Sequence, residues 1–342
     1  MAIKYIQPVK PDSAEGLVAR VYAQMKREFG ALAEPFTLHS PSPVLLAGAW
    51  SACRESLLVG RVRRDVKEAV AATVSRTNQC PYCVDAHTIM LSVTSAHHTA
   101  DAISHQRDEQ IQDPAVRSIV DWAAATRSPG AEILLSPPFS EQDAPEIIGT
   151  AVFFHYVNRM VNVLLSETPL PSNHRWLRGP LKRVAGWYFS KAVHRSKLLG
   201  ASLELLPETE LPADLSWAKT APNVAGAFAR FATVVDGTGR DLVPEEVRAC
   251  VCEQVQAWDG KDPGLGQHWV EQAMTGLDET SKAVGRLVLL TALAPYKVDE
   301  RVVRAFVTRF PEDDKLLGAL AWGSLTAARR IGTWLYVPYQ AA

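Results

Sequence analysis

Apolar residues recur at three- and four-residue intervals along nearly the whole chain and never settle into the alternation that a strand requires. In the stretch VRRDVKEAVAATV, Val62, Val66, Ala69, Val70 and Val74 fall on one face of a 3.6-residue helix. No period-two run is bounded by a hairpin turn pair. Proline and glycine gather between the periodic segments instead, as at Ser128-Pro129-Gly130 and Ser136-Pro137-Pro138. The pattern predicts an all-α chain with helices near 14–30, 43–59, 62–77, 80–97, 113–127 and 141–166. A second run follows near 222–236, 243–257, 264–276, 279–294, 297–309 and 312–335.

The 342 residues exceed the usual size of a single core, so two domains are expected. Residues 1–166 form the first and 215–342 the second, with a connection at 167–214. The connection is rich in proline (Pro169, Pro171, Pro180, Pro207, Pro212) around one helical stretch, LKRVAGWYFSKAVHR. Between Glu167 and Glu204 it holds Arg175, Arg178, Lys182, Arg183, Lys191, Arg195 and Lys197 and no acid. The favoured reading is an inter-domain helix with packed aromatics and solvated charges; a surface for a membrane or an anionic partner is the alternative.

The two halves read as copies of one helical unit. Pro43-Val44-Leu45-Leu46-Ala47-Gly48-Ala49-Trp50 resembles Pro222-Asn223-Val224-Ala225-Gly226-Ala227-Phe228. Asp65-Val66-Lys67-Glu68-Ala69-Val70 parallels Glu246-Val247-Arg248-Ala249-Cys250-Val251, a shift of 181 positions. At that shift Cys80 meets Lys261, Cys83 meets Gly264 and His87 meets His268. The second copy would thus keep its helices and one histidine while lacking the glutamate and both cysteines.

Chemistry concentrates in the first half, in Glu68, Cys80-Pro81-Tyr82-Cys83 and His87, a pattern of the form E-x11-C-x2-C-x3-H. Two thiols three residues apart share a helix face and can close an intramolecular disulfide. Pro81 suits the first helical turn, which places Cys80 at a helix N-terminus, where unpaired N–H groups stabilise a thiolate. His87 follows Cys83 by one turn and can reach its sulfur directly or through one water. Glu68, on the preceding helix, lines up with the small residues Ala72 and Ser75, so the next helix could approach until Glu68 orients His87; a solvated glutamate is the equal alternative. Zinc held by Cys80, Cys83 and His87, with Glu68 or His97/His98 as a fourth ligand, is a weaker reading, because no second CxxC exists. Neither a metal nor a cofactor is expected. Cys53 reads as core, and Cys250 and Cys252 point in different directions. His97, His98 and His105 read as surface residues, and Tyr156, Asn158 and Arg159 as packing residues on a helix that could close over the site.

Net charge is -1, which points to no nucleic-acid partner. No apolar run approaches the ~20 residues of a membrane span. Five cysteines are too few and too odd in number for a secreted disulfide scaffold, so a cytoplasmic protein is expected.

These residues resemble the AhpD-like alkylhydroperoxidase group of the carboxymuconolactone decarboxylase superfamily. The likeness extends to a lead-in of Val21-Tyr22-Ala23-Gln24, Phe29-Gly30, Pro35-Phe36, His39-Ser40-Pro41-Ser42-Pro43 and Trp50, and to Asn158-Arg159 with Asn162. It implies two AhpD-like helical bundle units, the second degenerate, and a thiol-dependent peroxidase active on alkyl hydroperoxides or hydrogen peroxide. It implies that Cys83 attacks the peroxide, that Cys80 resolves the sulfenic acid as a disulfide, and that Glu68 and His87 relay protons. Helix-end electrostatics alone would instead make Cys80 the more acidic thiol. The resemblance further implies a homo-oligomer re-reduced by a thiol protein or a lipoyl-bearing partner. Tyr82 stands where the best-known members carry a histidine. A non-redox decarboxylase or lactone-processing enzyme and a non-catalytic redox sensor or interaction module are the alternatives; the CxxC argues against the first.

Overall fold

A computed structural model describes residues 3–94, 96–165, 197–264 and 266–336. The basic stretch LKRVAGWYFSKAVHR lies outside them. The described residues are all-α, with no strand among them. The first half contains α1 (Gly16–Phe29), α2 (Glu34–Thr37), α3 (Pro43–Cys53), α4 (Arg64–Thr77) and α5 (Pro81–Val93). It continues through α6 (His97–Ser104), α7 (Pro114–Ala125), α8 (Glu132–Leu135) and α9 (Ala144–Leu164). The second contains α10 (Pro222–Leu242), α11 (Glu245–Ala257), α12 (His268–Ala273), α13 (Glu279–Leu293), α14 (Glu300–Val307) and α15 (Asp313–Leu335).

Local chemistry sets most of these ends. Pro43, Pro81 and Pro114 occupy first helical turns, where a missing N–H costs nothing. Asp113, Asp278 and Asp299 accept backbone N–H bonds as N-caps of α7, α13 and α14. In the second half α10 runs six residues beyond the expected 222–236 and α12 covers six residues of the expected 264–276; in the first half two helices differ from expectation. The segment expected at 43–59 ends its α-helix at Cys53 and continues as a single π turn over Arg54–Leu58, which carries the buried ion pairs of Arg54 with Glu28 and Glu55. The segment expected at 80–97 stops at Val93, and His97, His98 and the residues after them start a new helix, α6.

One continuous hydrophobic core runs through both halves. Helix α9 is its axis, buried along nearly its whole length between α4 on one side and α15 on the other. Among the described residues it is the one helix long and apolar enough to cross a membrane, and 94% of that stretch is buried inside the protein. Helix α3 lies along α10, where Gly48 lets Phe231 approach; a Cβ there would stand 2.8 Å from the Phe231 ring. A smaller apolar cluster, including Ala69, Ala72, Leu91, Ile103 and Val120, seats α5, α6 and α7 on α4.

A buried ion pair locks α4 to α9. Lys67 Nζ donates to Glu146 at 2.7 Å and to the Val59 carbonyl at 2.6 Å. The backbone N–H groups of Arg61 and Val62 close on the same carboxylate at 2.8 and 3.2 Å. This wrap requires Gly60, at φ 116°, because a Cβ there would overlap the Glu146 carboxylate.

Candidate active site

Helix α4 ends in a Schellman turn. The Cys80 N–H bonds to the Ser75 carbonyl at 2.9 Å and the Gln79 N–H to the Arg76 carbonyl at 3.0 Å. Gln79 sits at the left-handed position of this turn with φ 52°, where a non-glycine residue costs about 1–2 kcal/mol. The turn makes Cys80 the last residue of one motif and the N-cap of α5, so α5 folds straight back along α4.

That reversal brings the expected residues together. Both thiols are buried, Cys80 at 1% and Cys83 at 2% exposure, Cys80 as the N-cap of α5 and Cys83 in its first turn. Glu68 is fully buried rather than solvated. One of its oxygens accepts the His87 Nδ1–H at 2.6 Å, and the other accepts the Arg64 Nε–H at 2.6 Å. Burial pushes the Glu68 carboxyl upward, but Arg64 and His87 outweigh it and hold the group below its ordinary value. An ionised Glu68 fixes the His87 proton on Nδ1 and leaves Nε2 as the basic nitrogen. The edge-on ring of Phe154, 4.5 Å away centroid to centroid, holds the imidazole in place.

Burial, reinforced by Cys80, raises the Cys83 thiol well above its ordinary value, while a hydrogen bond from Asn158 opposes the rise. The Tyr82 hydroxyl donates to Glu34 at 2.8 Å, and burial together with Glu34 drives its pKa up, so Tyr82 is no substitute for a titrating histidine.

Of the α9 residues singled out by sequence, Asn158 joins the turn before α5, donating to the Ser75 hydroxyl at 3.0 Å and accepting from the Asn78 amide at 2.9 Å. Tyr156 pairs with buried His39 at 2.7 Å and packs on Phe231, as a core residue. Arg159 turns away to the carbonyls of Ala292 and His155 and to the face of Trp258. Asn162 pins the turn by donating to the Asn78 carbonyl at 3.1 Å. Sequence reasoning missed Arg64, although its i,i+4 spacing to Glu68 was visible, and missed Asn78, His155 and Thr126, which no local spacing connects. Cys53 is core, Cys252 is exposed, and the Cys250 thiol donates to the Ala273 carbonyl. Among the described residues no three His, Cys, Asp or Glu side chains converge as a metal-binding group.

No protein-family model matches the chain. It is 40% identical over 333 residues to a curated protein of Mycobacterium tuberculosis named alkyl hydroperoxide reductase Rv2159c, covering 97% of this chain and 95% of that protein. The chain therefore belongs to the AhpD-like alkylhydroperoxidase family, and with it to the peroxidase-type oxidoreductases.

Proposed function

We propose that the chain is a thiol-dependent peroxidase that reduces alkyl hydroperoxides or hydrogen peroxide with the Cys80/Cys83 pair. The observation that carries this reading is the Glu68–His87 ion pair, Glu68 fully buried, with His87 one helical turn after buried Cys83 on α5. His87 Nε2 accepts the Cys83 proton, directly or through one water, and Glu68 stabilises the imidazolium that results. The Cys83 thiolate attacks one peroxide oxygen and the O–O bond breaks. The alcohol leaves with the proton returned by His87, and the sulfur becomes a sulfenic acid. The Cys80 sulfur, as thiolate, displaces hydroxide from that sulfenic acid, which leaves as water, and the Cys80–Cys83 disulfide forms. A thiol protein or a lipoyl-bearing partner then reduces the disulfide by exchange, which fits a reducing cytoplasm, and the working form is a homo-oligomer. The same reading treats 215–342 as a degenerate copy of the first unit. Supporting it, Gly260 holds a left-handed turn (φ 84°) 181 positions after Gln79, and α3 packs along its counterpart α10. The test is consumption of tert-butyl hydroperoxide with dithiothreitol as reductant, one alcohol formed per peroxide lost. Reversible disulfide formation without turnover would show a sensor instead.

A further inference from the structure

The turn that delivers Cys80 to α5 is held from two sides, and one of them is the half of the chain that has no dithiol. From within the first half, Asn162 donates to the Asn78 carbonyl at 3.1 Å. The Asn78 side chain lies against His155 and Asn158, and the far ring nitrogen of His155 is 2.9 Å from the Thr126 hydroxyl. From the second half comes the segment after α11, Trp258 to Asp262. Arg127, two residues past the end of α7, joins the two sides. Its Nε–H donates to the Gly260 carbonyl at 2.9 Å, one terminal nitrogen donates to Asp262 at 2.7 Å, and the other donates to the Thr77 carbonyl at 3.4 Å. The guanidinium also lies over the Trp258 ring, 5.4 Å from its centroid. Asp262 accepts in addition from the Gln79 side chain at 3.3 Å, so the contacts fall on both residues that flank Asn78.

Shape closes the same seam. A Cβ on Gly260 would stand 1.8 Å from the Arg127 carbonyl oxygen, so the two backbones touch. Arg159 fastens α9 to α13 by donating to the Ala292 carbonyl at 2.8 Å. The space left between Asn78, Gln79 and Arg159 on one side and Leu293, Pro295 and Tyr296 on the other is about 10 Å³, room for one water. As a charge pair Arg127 and Asp262 are partly in water and add little to overall stability. Their effect is on where the turn lies. We propose that the second half positions the dithiol of the first, with Arg127 and Asp262 as positioning residues that hold residues 77–79 and so keep Cys80 at the N-cap of α5, within one turn of Cys83. The inference rests on the reading of Cys80 and Cys83 as a pair that closes a disulfide. A disulfide closes more readily when the fold already holds one of its sulfurs in place, because less freedom remains to be lost.

The test is the equilibrium of the Cys80–Cys83 disulfide with dithiothreitol in the full-length chain. As the disulfide closes, two electrons and two protons pass from the two thiols to oxidised dithiothreitol, which becomes the reduced form. The mixture is quenched in acid, free thiols are alkylated after unfolding, and the peptide carrying both cysteines is read by mass spectrometry. Arg127→Met keeps an apolar stem against Trp258 but removes all three hydrogen bonds, and should lower the equilibrium constant about five- to tenfold. Asp262→Ala should lower it about threefold. Asp236→Ala is the control, because it takes from Arg329 a partner at 2.8 Å that lies wholly within the second half. It should lower the urea midpoint and leave the constant unchanged. An unchanged or raised constant in Arg127→Met overturns the proposal, and one in Asp262→Ala strikes Asp262 from it. An equal fall in Asp236→Ala also overturns it, by showing a general loss of stability instead. A parent chain that closes no Cys80–Cys83 disulfide overturns this inference and the peroxidase reading together. The exchange needs no peroxide, so lowered constants in a protein that consumes no hydroperoxide sink the peroxidase reading alone.

Discussion

The two halves share a left-handed backbone position and have opposite surroundings. In the first, Gln79 takes the left-handed position between α4 and α5; in the second, Gly260 takes it after α11. The residues beyond each turn then part company. Glu68, Cys80 and Cys83 are buried, whereas Ala249, Lys261 and Gly264, each 181 positions further on, are exposed. Burial follows from what covers α4 and α11. Helices α5 and α6 lie across α4, but α12 has only six residues and packs chiefly against α13. A carboxylate–imidazole pair needs that cover, since in water the two charges would be solvated separately and orient nothing. The difference teaches that the dithiol pattern and the lid over it belong together.

The sharpest way to break the comparison is at the sulfurs. Cys83→Ser should abolish peroxide-dependent sulfenic acid formation, and Cys80→Ser should leave a sulfenate trapped at Cys83, both read with a dimedone-type probe. If Cys83→Ser retains turnover and Cys80→Ser forms no sulfenate, the roles are reversed and the helix-end argument for Cys80 was the better guide.

Next in size is the relay. Glu68→Gln or His87→Asn should slow peroxide turnover by roughly 10²–10⁴-fold with an unchanged circular dichroism spectrum. Glu68 also ties stability to pH. Its folded value is depressed, so its contribution is complete above the ordinary carboxylate range and is lost as pH falls through the depressed value. Urea midpoints of wild type and Glu68→Gln should therefore converge between about pH 7 and about pH 3.

Thiol access separates the halves by burial alone. Under native conditions a maleimide should modify exposed Cys252 first and spare Cys53, Cys80 and Cys83 until denaturant is added. Rapid native labelling of Cys80 would show that the cover opens.

At the turns the expected effects are on stability. Gln79→Gly should stabilise by about 1 kcal/mol, by removing the left-handed penalty. Gly260→Ala should destabilise, because its Cβ would overlap the Arg127 carbonyl. The smallest effect belongs to the second half: Cys250→Ser, Cys252→Ser and His268→Ala should leave turnover near wild type.

Much of this molecule was legible in the sequence, and for a local reason. Helical periodicity, prolines at first turns and aspartate caps act within a few residues, so α3, α4, α7, α9 and α13 begin within about three residues of where the pattern places them. The spacing of Cys80, Cys83 and His87 along one helix is local in the same sense. Where the chain departed from expectation, at the π turn over Arg54–Leu58 and the break before α6, buried ion pairs and packing on α4 decided the outcome. Only the tertiary structure decided that Glu68 is buried against His87, that Asn158 rather than Tyr156 or Arg159 meets Ser75 and Asn78 at the turn before α5, and that Lys67 and Glu146 lock α4 to α9. The Glu68–His87, Asn158–Asn78 and Lys67–Glu146 contacts join residues distant in the chain, and their strength comes from the removal of water, which no residue's neighbours in the chain determine.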